Sequence, residues 1–315
     1  MREPLPTRSR ALLAGSLLLA TGTTSLGTGC FGPSGPTDAR SVAEYDVARD
    51  LFSRGQLREA LTKVEESLDL DGGNAEAAYL GSVIMLAFCA RDAGSSDCRF
   101  ETAEAYARKA LDANPEMRDA KNTLGVILVH QRRYDEAIGV LKPLAEDIFY
   151  GAPQNSWGNL GWAYLEKGQT DLAIDALRRA VAAQPNFCVG HYRLGLAFEK
   201  KGEMQAAREA LVTAVEVDRP ECQKLQDAWE ARGRVALRLG AADDARADFQ
   251  HCAEIAPSSP VGRRCAASKG ALPSGGATPS TDDAPPPAPP SAGSGTAPST
   301  PSPSPSEGGD AVRKN

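Results

Sequence analysis

Seven cysteines and three histidines are the residues of this chain best suited to nucleophilic, redox or metal chemistry. The cysteines are Cys30, Cys89, Cys98, Cys188, Cys222, Cys252 and Cys265. None lies in a C-x-x-C pair and the spacings are long, so a zinc centre is not expected. His130, His191 and His251 stand about sixty residues apart and read as ordinary helix surface or satisfied groove polarity. The sequence carries no nucleophile elbow, no phosphate-binding glycine loop and no H-E-x-x-H. Acidic and basic residues alternate as they do on solvated helix faces, and the net charge is −6 with no basic stripe. The residues thus predict a non-enzymatic chain with no cofactor, no metal, no small-molecule substrate and no nucleic-acid partner. The chemistry that remains is that of sulfur, and the cysteine count is odd.

Cys30 is the odd one. Arg2, Arg8 and Arg10 form a basic start, Ala11–Ala20 is apolar, and small residues lead on to Thr28, Gly29 and Cys30. The apolar run is too short to span a bilayer and has the length of a signal-peptide core. The arrangement resembles a bacterial lipoprotein signal, although Gly27 stands where that pattern usually has Leu or Val. The resemblance implies removal of residues 1–29 and fatty acylation of Cys30. Phe31 follows the cysteine where Asp would retain a lipoprotein at the inner membrane. It therefore implies a lipid anchor on the periplasmic face of the outer membrane of a Gram-negative bacterium. Six cysteines then remain, an even number in an exported chain, which predicts disulfides.

The elements that must position these residues are helical. Residues 41–267 are rich in Ala, Leu, Glu and Arg. Residues 268–315 are rich in Pro, Ser and Gly, hold almost no large apolar side chain, and read as a disordered tail. Residues 30–40 read as a linker. Within the helical part, Trp157, Leu160, Gly161, Tyr164, Ala173, Leu177, Ala180 and Pro185 repeat the spacings of the tetratricopeptide pattern, with Leu177 in place of an aromatic. The same frame returns at Leu194, Gly195, Phe198, Ala207, Leu211 and Ala214, and again at Trp229, Gly233, Ala245, Phe249 and Pro257. Upstream it is marked by Gly125 and Ala137, by Gly81 and Ala103, and by Ala48 and Ala60. The resemblance implies an all-α superhelical solenoid of six hairpins, about 41–73, 74–117, 118–153, 154–187, 188–225 and 226–259. A capping helix is expected near Val261–Ala267. One hairpin cannot bury its apolar face alone, and stacking supplies the rest of the core.

In this frame the cysteines fall at neighbouring ends. Cys89 and Cys98 flank the insertion between the two helices of the second repeat. Cys188 opens the fifth repeat and Cys222 follows its last helix. Cys252 lies in the last helix of the sixth repeat, opposite Cys265 on the cap. In the tetratricopeptide family the second, fifth, ninth, twelfth and thirteenth positions of each first helix line a concave groove. Carried over, they give Asn122, Val126, Val129 and His130 in repeat three, and Asn155, Gly158, Trp162, Leu165 and Glu166 in repeat four. They give Val189, Tyr192, Leu196, Glu199 and Lys200 in repeat five, and Glu230, Arg234, Leu237 and Arg238 in repeat six. Trp162, Tyr192 and Leu196 would floor the groove for an amphipathic peptide, unless Trp162 only packs between repeats.

The junction "FYGAPQNSWGNLG", with Pro143 shortly before it, resembles the pilotin family of type IV pili. So do the flanking repeats and the late "PEC", "HCAEIAP" and "RRC". That resemblance implies a partner-binding lipoprotein that assists assembly of the outer-membrane secretin. Two other readings stay open on the sequence. One is a repeat scaffold for peptidoglycan enzymes of the cell envelope, and the other a repeat lipoprotein with no pilus role.

Overall fold

The computed structural model describes residues 38–92 and 94–272. The signal segment, Cys30 and the bulk of the Pro/Ser-rich tail lie outside the described residues. Six helical hairpins follow one another: α1 (Ala39–Ser53) with α2 (Leu57–Leu70), α3 (Ala75–Arg91) with α4 (Phe100–Ala113), and α5 (Arg118–His130) with α6 (Tyr134–Ala145). They continue as α7 (Pro153–Lys167) with α8 (Thr170–Ala183), α9 (Cys188–Lys201) with α10 (Met204–Glu216), and α12 (Gln226–Arg238) with α13 (Ala242–Ile255). A four-residue helix, α11 (Pro220–Gln223), joins the last two hairpins, and α14 (Pro260–Ala271) closes the array.

The local reasons are small and repeated. Gly168 and Gly202 turn the chain between paired helices at φ +87° and +88°, a region only glycine enters cheaply. Arg132 takes the same place in the third hairpin at φ 62°. From the second hairpin on, where paired helices cross, a glycine of the first lies under a large side chain of the second. A Cβ at Gly125, Gly161 or Gly195 would stand 2.4–2.5 Å from Leu141, Leu177 or Leu211. Those leucines are fully buried.

First helices of successive hairpins touch one another, from α1 against α3 through to α12 against α14. Second helices pack on the first helix of their own hairpin and of the next. The array is therefore tight along its first helices and open along its second ones, which makes the first-helix side concave.

Three boundaries differ from the sequence reading. The first helix begins at Ala39 because the Asp38 carboxylate accepts the Arg40 amide at 2.8 Å and caps it. The short α11 was not expected; Pro220 starts it and it carries Cys222 inward. The capping helix runs to Ala271, beyond the expected start of the tail, because Leu272 still packs on the cluster around Cys252 and Cys265.

The structure joins Cys89 to Cys98, Cys188 to Cys222, and Cys252 to Cys265, with Cα separations of 4.4, 5.6 and 6.0 Å. The first spans the insertion after α3. The second holds α11 against the start of α9. The third ties the cap to α13. Among the described residues no helix is long and apolar enough to cross a membrane.

Candidate protein-binding groove

The concave side is built from α5, α7, α9, α12 and α14. Trp162 of α7 is half-buried at its floor. The His130 ring meets it edge-on with centroids 4.9 Å apart, and stacks on Phe100 at 4.8 Å. The Arg193 guanidinium of α9 lies 4.6 Å from the centre of the Trp162 ring. Tyr192 and Leu196 are partly exposed beside them. Val126, Asn155 and Asn122 are likewise partly exposed, and Glu166 and Lys200 are open to solvent.

A ladder of polar bonds crosses this floor from helix to helix. Asn159 Nδ2 donates to Asn122 Oδ1 at 3.0 Å. Arg193 Nη1 donates to Asn159 Oδ1 at 2.8 Å and to the Gly158 carbonyl at 3.1 Å. Lys200 Nζ donates to the Leu165 carbonyl at 2.8 Å. Arg234 grips Glu199 through two bonds of 2.8 Å, Arg238 stands 3.5 Å from the same carboxylate, and Arg264 pairs with Glu230 at 2.8 Å. The carboxylates lie beneath the cations: the Glu199 side chain is 9% exposed against 41% and 51% for Arg234 and Arg238.

Electrostatics follow from this layering. Burial pulls the Arg193 pKa down to about 10, so it stays charged at neutral pH. Burial, then the Arg193 charge, holds His130 below its ordinary value. Burial, with Asp227 nearby, pushes the Tyr192 hydroxyl up to about 12.

Four residues expected on the groove are covered: Val129, Leu165, Glu199 and Gly158. Val129 is 3% exposed and Leu165 is 5% exposed, both in the core. Each occupies the twelfth position of its repeat and packs into the core, whereas Leu237 at the same position of repeat six is 38% exposed. Met85 at the twelfth position of repeat two is likewise buried, as is Glu199 of repeat five. Gly158 is also covered, with Phe187 packed over it.

Arg193 and Asn159 were missed by the position rule although they organise the floor. So was a surface on the α6–α7 junction. There Asp147 accepts the Phe149 amide at 2.8 Å and Arg118 Nε at 2.6 Å, and the buried Tyr150 donates to Asp119 at 3.1 Å. The anchored loop leaves Ile148 and Phe149 88% and 78% exposed. Among the described residues no group of three or more His, Cys, Asp or Glu is placed to hold a metal ion.

The family profile described as tetratricopeptide repeat matches residues 99–150, 149–187, 159–221 and 192–260. A comparison with curated protein sequences returned no match. Among solved structures, the chain is similar in fold to PilW, described as a widely conserved type IV pilus biogenesis factor. The identity is 20%, covering 72% of this chain and 98% of PilW, with a TM-score of 0.60. It is also similar to PilF of Pseudomonas aeruginosa at 19% identity, covering 74% of this chain and 99% of PilF, with a TM-score of 0.57. A tetratricopeptide repeat protein of Parabacteroides merdae shares 14% identity over 74% of this chain and 84% of its own, with a TM-score of 0.58. With its matched residues running from 99 to 260, its six stacked hairpins and a glycine under a large residue in five of them, the chain belongs to the tetratricopeptide repeat family.

Proposed function

We propose that this protein is a pilotin-like, lipid-anchored lipoprotein of the outer membrane that binds a secretin subunit and assists its assembly for type IV pili. The observation that carries the reading is the continuous inner face from Asn122 to Arg264, which offers aromatic floor and guanidinium rim to an extended or helical segment. The fold correspondence over nearly the whole of PilW and PilF supports the pilus assignment, and the cysteine-ended export signal supports the anchor. The work done is non-covalent. Acylation of Cys30 addresses the protein to the membrane, and the stacked hairpins hold the partner close to where it must insert.

The test is a pull-down of the full mature chain from detergent-solubilised envelopes, read together with secretin multimers in a deletion strain. Recovery of the secretin subunit and loss of its multimers on deletion are expected. Unchanged multimers and no secretin in the eluate would refute the reading. Replacing Cys30 by Ala should abolish palmitate labelling and release the protein from membranes.

A further inference from the structure

Arg193 is a charged group on the groove floor without a counter-ion. Its Nη1 is used on the Gly158 carbonyl and the Asn159 side chain, both neutral, and the rest of its guanidinium lies against Trp162. It makes no ion pair with a described residue; Glu166 acts on it only from a distance. The other guanidinium groups of this face differ: Arg234 and Arg238 share Glu199, and Arg264 has Glu230. An unpaired cation taken out of water costs free energy that a carboxylate recovers.

A second cation repeats the situation on the same helix. Lys200 donates to the Leu165 carbonyl and to no carboxylate. Seven residues separate it from Arg193, two helical turns or about 10.5 Å along the same face. Between them Leu196 is partly exposed. Along α9 the groove thus presents a cation, an apolar spot and a cation in line, with Trp162 alongside.

We propose that Arg193 and Lys200 form a carboxylate-binding pair that selects an acidic amphipathic segment of a protein partner. One Asp or Glu of that segment docks on Arg193 at the edge of the Trp162 ring. A large apolar side chain rests on Leu196, and a second carboxylate about two helical turns further on meets Lys200. Charge complementarity commits the occupant: a basic or neutral segment would leave Arg193 unpaired under a newly excluded solvent. The assignment rests on the groove being the binding surface, and it adds which partner chemistry that surface accepts.

His130 supplies a built-in reporter. It contacts Phe100 and Trp162 and feels the Arg193 charge. A carboxylate seated on Arg193 cancels that repulsion, so the His130 midpoint rises on binding.

The experiment uses the full mature chain and two capped twelve-residue helical peptides. One carries Glu at positions three and ten around a Leu/Phe stripe; the other has Gln at both. Affinity is measured by calorimetry and the His130 midpoint by NMR titration. The Glu peptide should bind about tenfold tighter or better, as charge-assisted hydrogen bonds do, and raise the His130 midpoint while the Gln peptide does not. Arg193→Met should erase the preference, Arg193→Lys should keep part of it, and the exposed Lys200→Gln should halve it on the logarithmic scale without touching the fold. Equal affinity of the two peptides, or a Glu preference that survives both Arg193→Met and Lys200→Gln, overturns the carboxylate pair and leaves the groove reading standing. Binding of neither peptide by a chain that retains the secretin subunit in the pull-down also overturns the pair alone. Binding of neither together with a failed pull-down overturns both.

Discussion

Replacing Gly161 by alanine tests whether the hairpins are held together by the close approach of α7 and α8. An alanine Cβ there would lie 2.5 Å from Leu177 Cγ, 2.9 Å from its Cδ2 and 3.2 Å from the Ala173 carbonyl oxygen. Comfortable carbon–carbon contact begins at about 3.5 Å, so the overlap with Leu177 is about 1 Å. Leu177 is fully buried, which limits its escape. Overpacking of this kind costs about 1–3 kcal/mol. Alanine returns about 1 kcal/mol of helix propensity relative to glycine. The net expectation is a loss of about 0–2 kcal/mol. Gly139 in α6 is the control, because a Cβ there meets nothing within 4 Å. Gly139→Ala should therefore gain about 0.5–1 kcal/mol. Urea unfolding of both oxidised variants, followed by circular dichroism, should separate their stabilities by about 0.5–3 kcal/mol. Leu177→Ala alone should cost about 2–5 kcal/mol, and adding Gly161→Ala to it should recover part of that cost, since the new methyl enters the vacated space. If Gly161→Ala is as stable as Gly139→Ala, or costs the same with and without Leu177, the close approach is not what positions the helices.

The disulfides close loops of different length, with sequence separations of 34, 13 and 9 for the pairs at Cys188, Cys252 and Cys89. Chain entropy then ranks them, with the paired Cys→Ser variant at Cys188 and Cys222 losing about 4 kcal/mol in urea unfolding and each of the others about 2.5–3 kcal/mol. Asp248 is 3% exposed and pairs with Arg232, so Asp248→Ala should cost about 3–5 kcal/mol by leaving that guanidinium partly buried and alone; a thermal melt unchanged from wild type would contradict this. His130 has its folded pKa below its ordinary value of 6.5, from burial first and Arg193 second. Its contribution to stability is complete above that value and falls away as pH drops through the folded pKa. Melting temperatures between neutral and mildly acid pH should decline less steeply in His130→Phe than in wild type.

The fold was legible because its packing rule is written in single residues. A small residue at the eighth position and a large one sixteen further on, as in Gly161 with Leu177 and Gly195 with Leu211, can come from only a few architectures. Their recurrence leaves one. The groove was legible only in part. A position rule states which way a side chain leaves its own helix and not what the next hairpin lays across it. Val129 and Leu165 were misplaced by that difference, and Arg193 was overlooked because its position is not among those that usually line the groove.

A signal for the floor was nevertheless present, in the separation between polar residues rather than in their positions. Asn122 bonds Asn159, 37 residues on, and Asn159 bonds Arg193, 34 on. Leu165 receives Lys200 from 35 residues on, Glu199 holds Arg234 at 35, and Glu230 holds Arg264 at 34. The bonds that stitch successive first helices recur at close to the period of the repeat itself. That follows from a stack in which each hairpin touches only its neighbours. An acidic residue with an arginine one repeat later is thus a readable pair, and a cation with no such acid one repeat before it is a readable vacancy. Arg193 is such a cation: the described chain satisfies its hydrogen bonds through neutral groups and leaves its charge facing the groove.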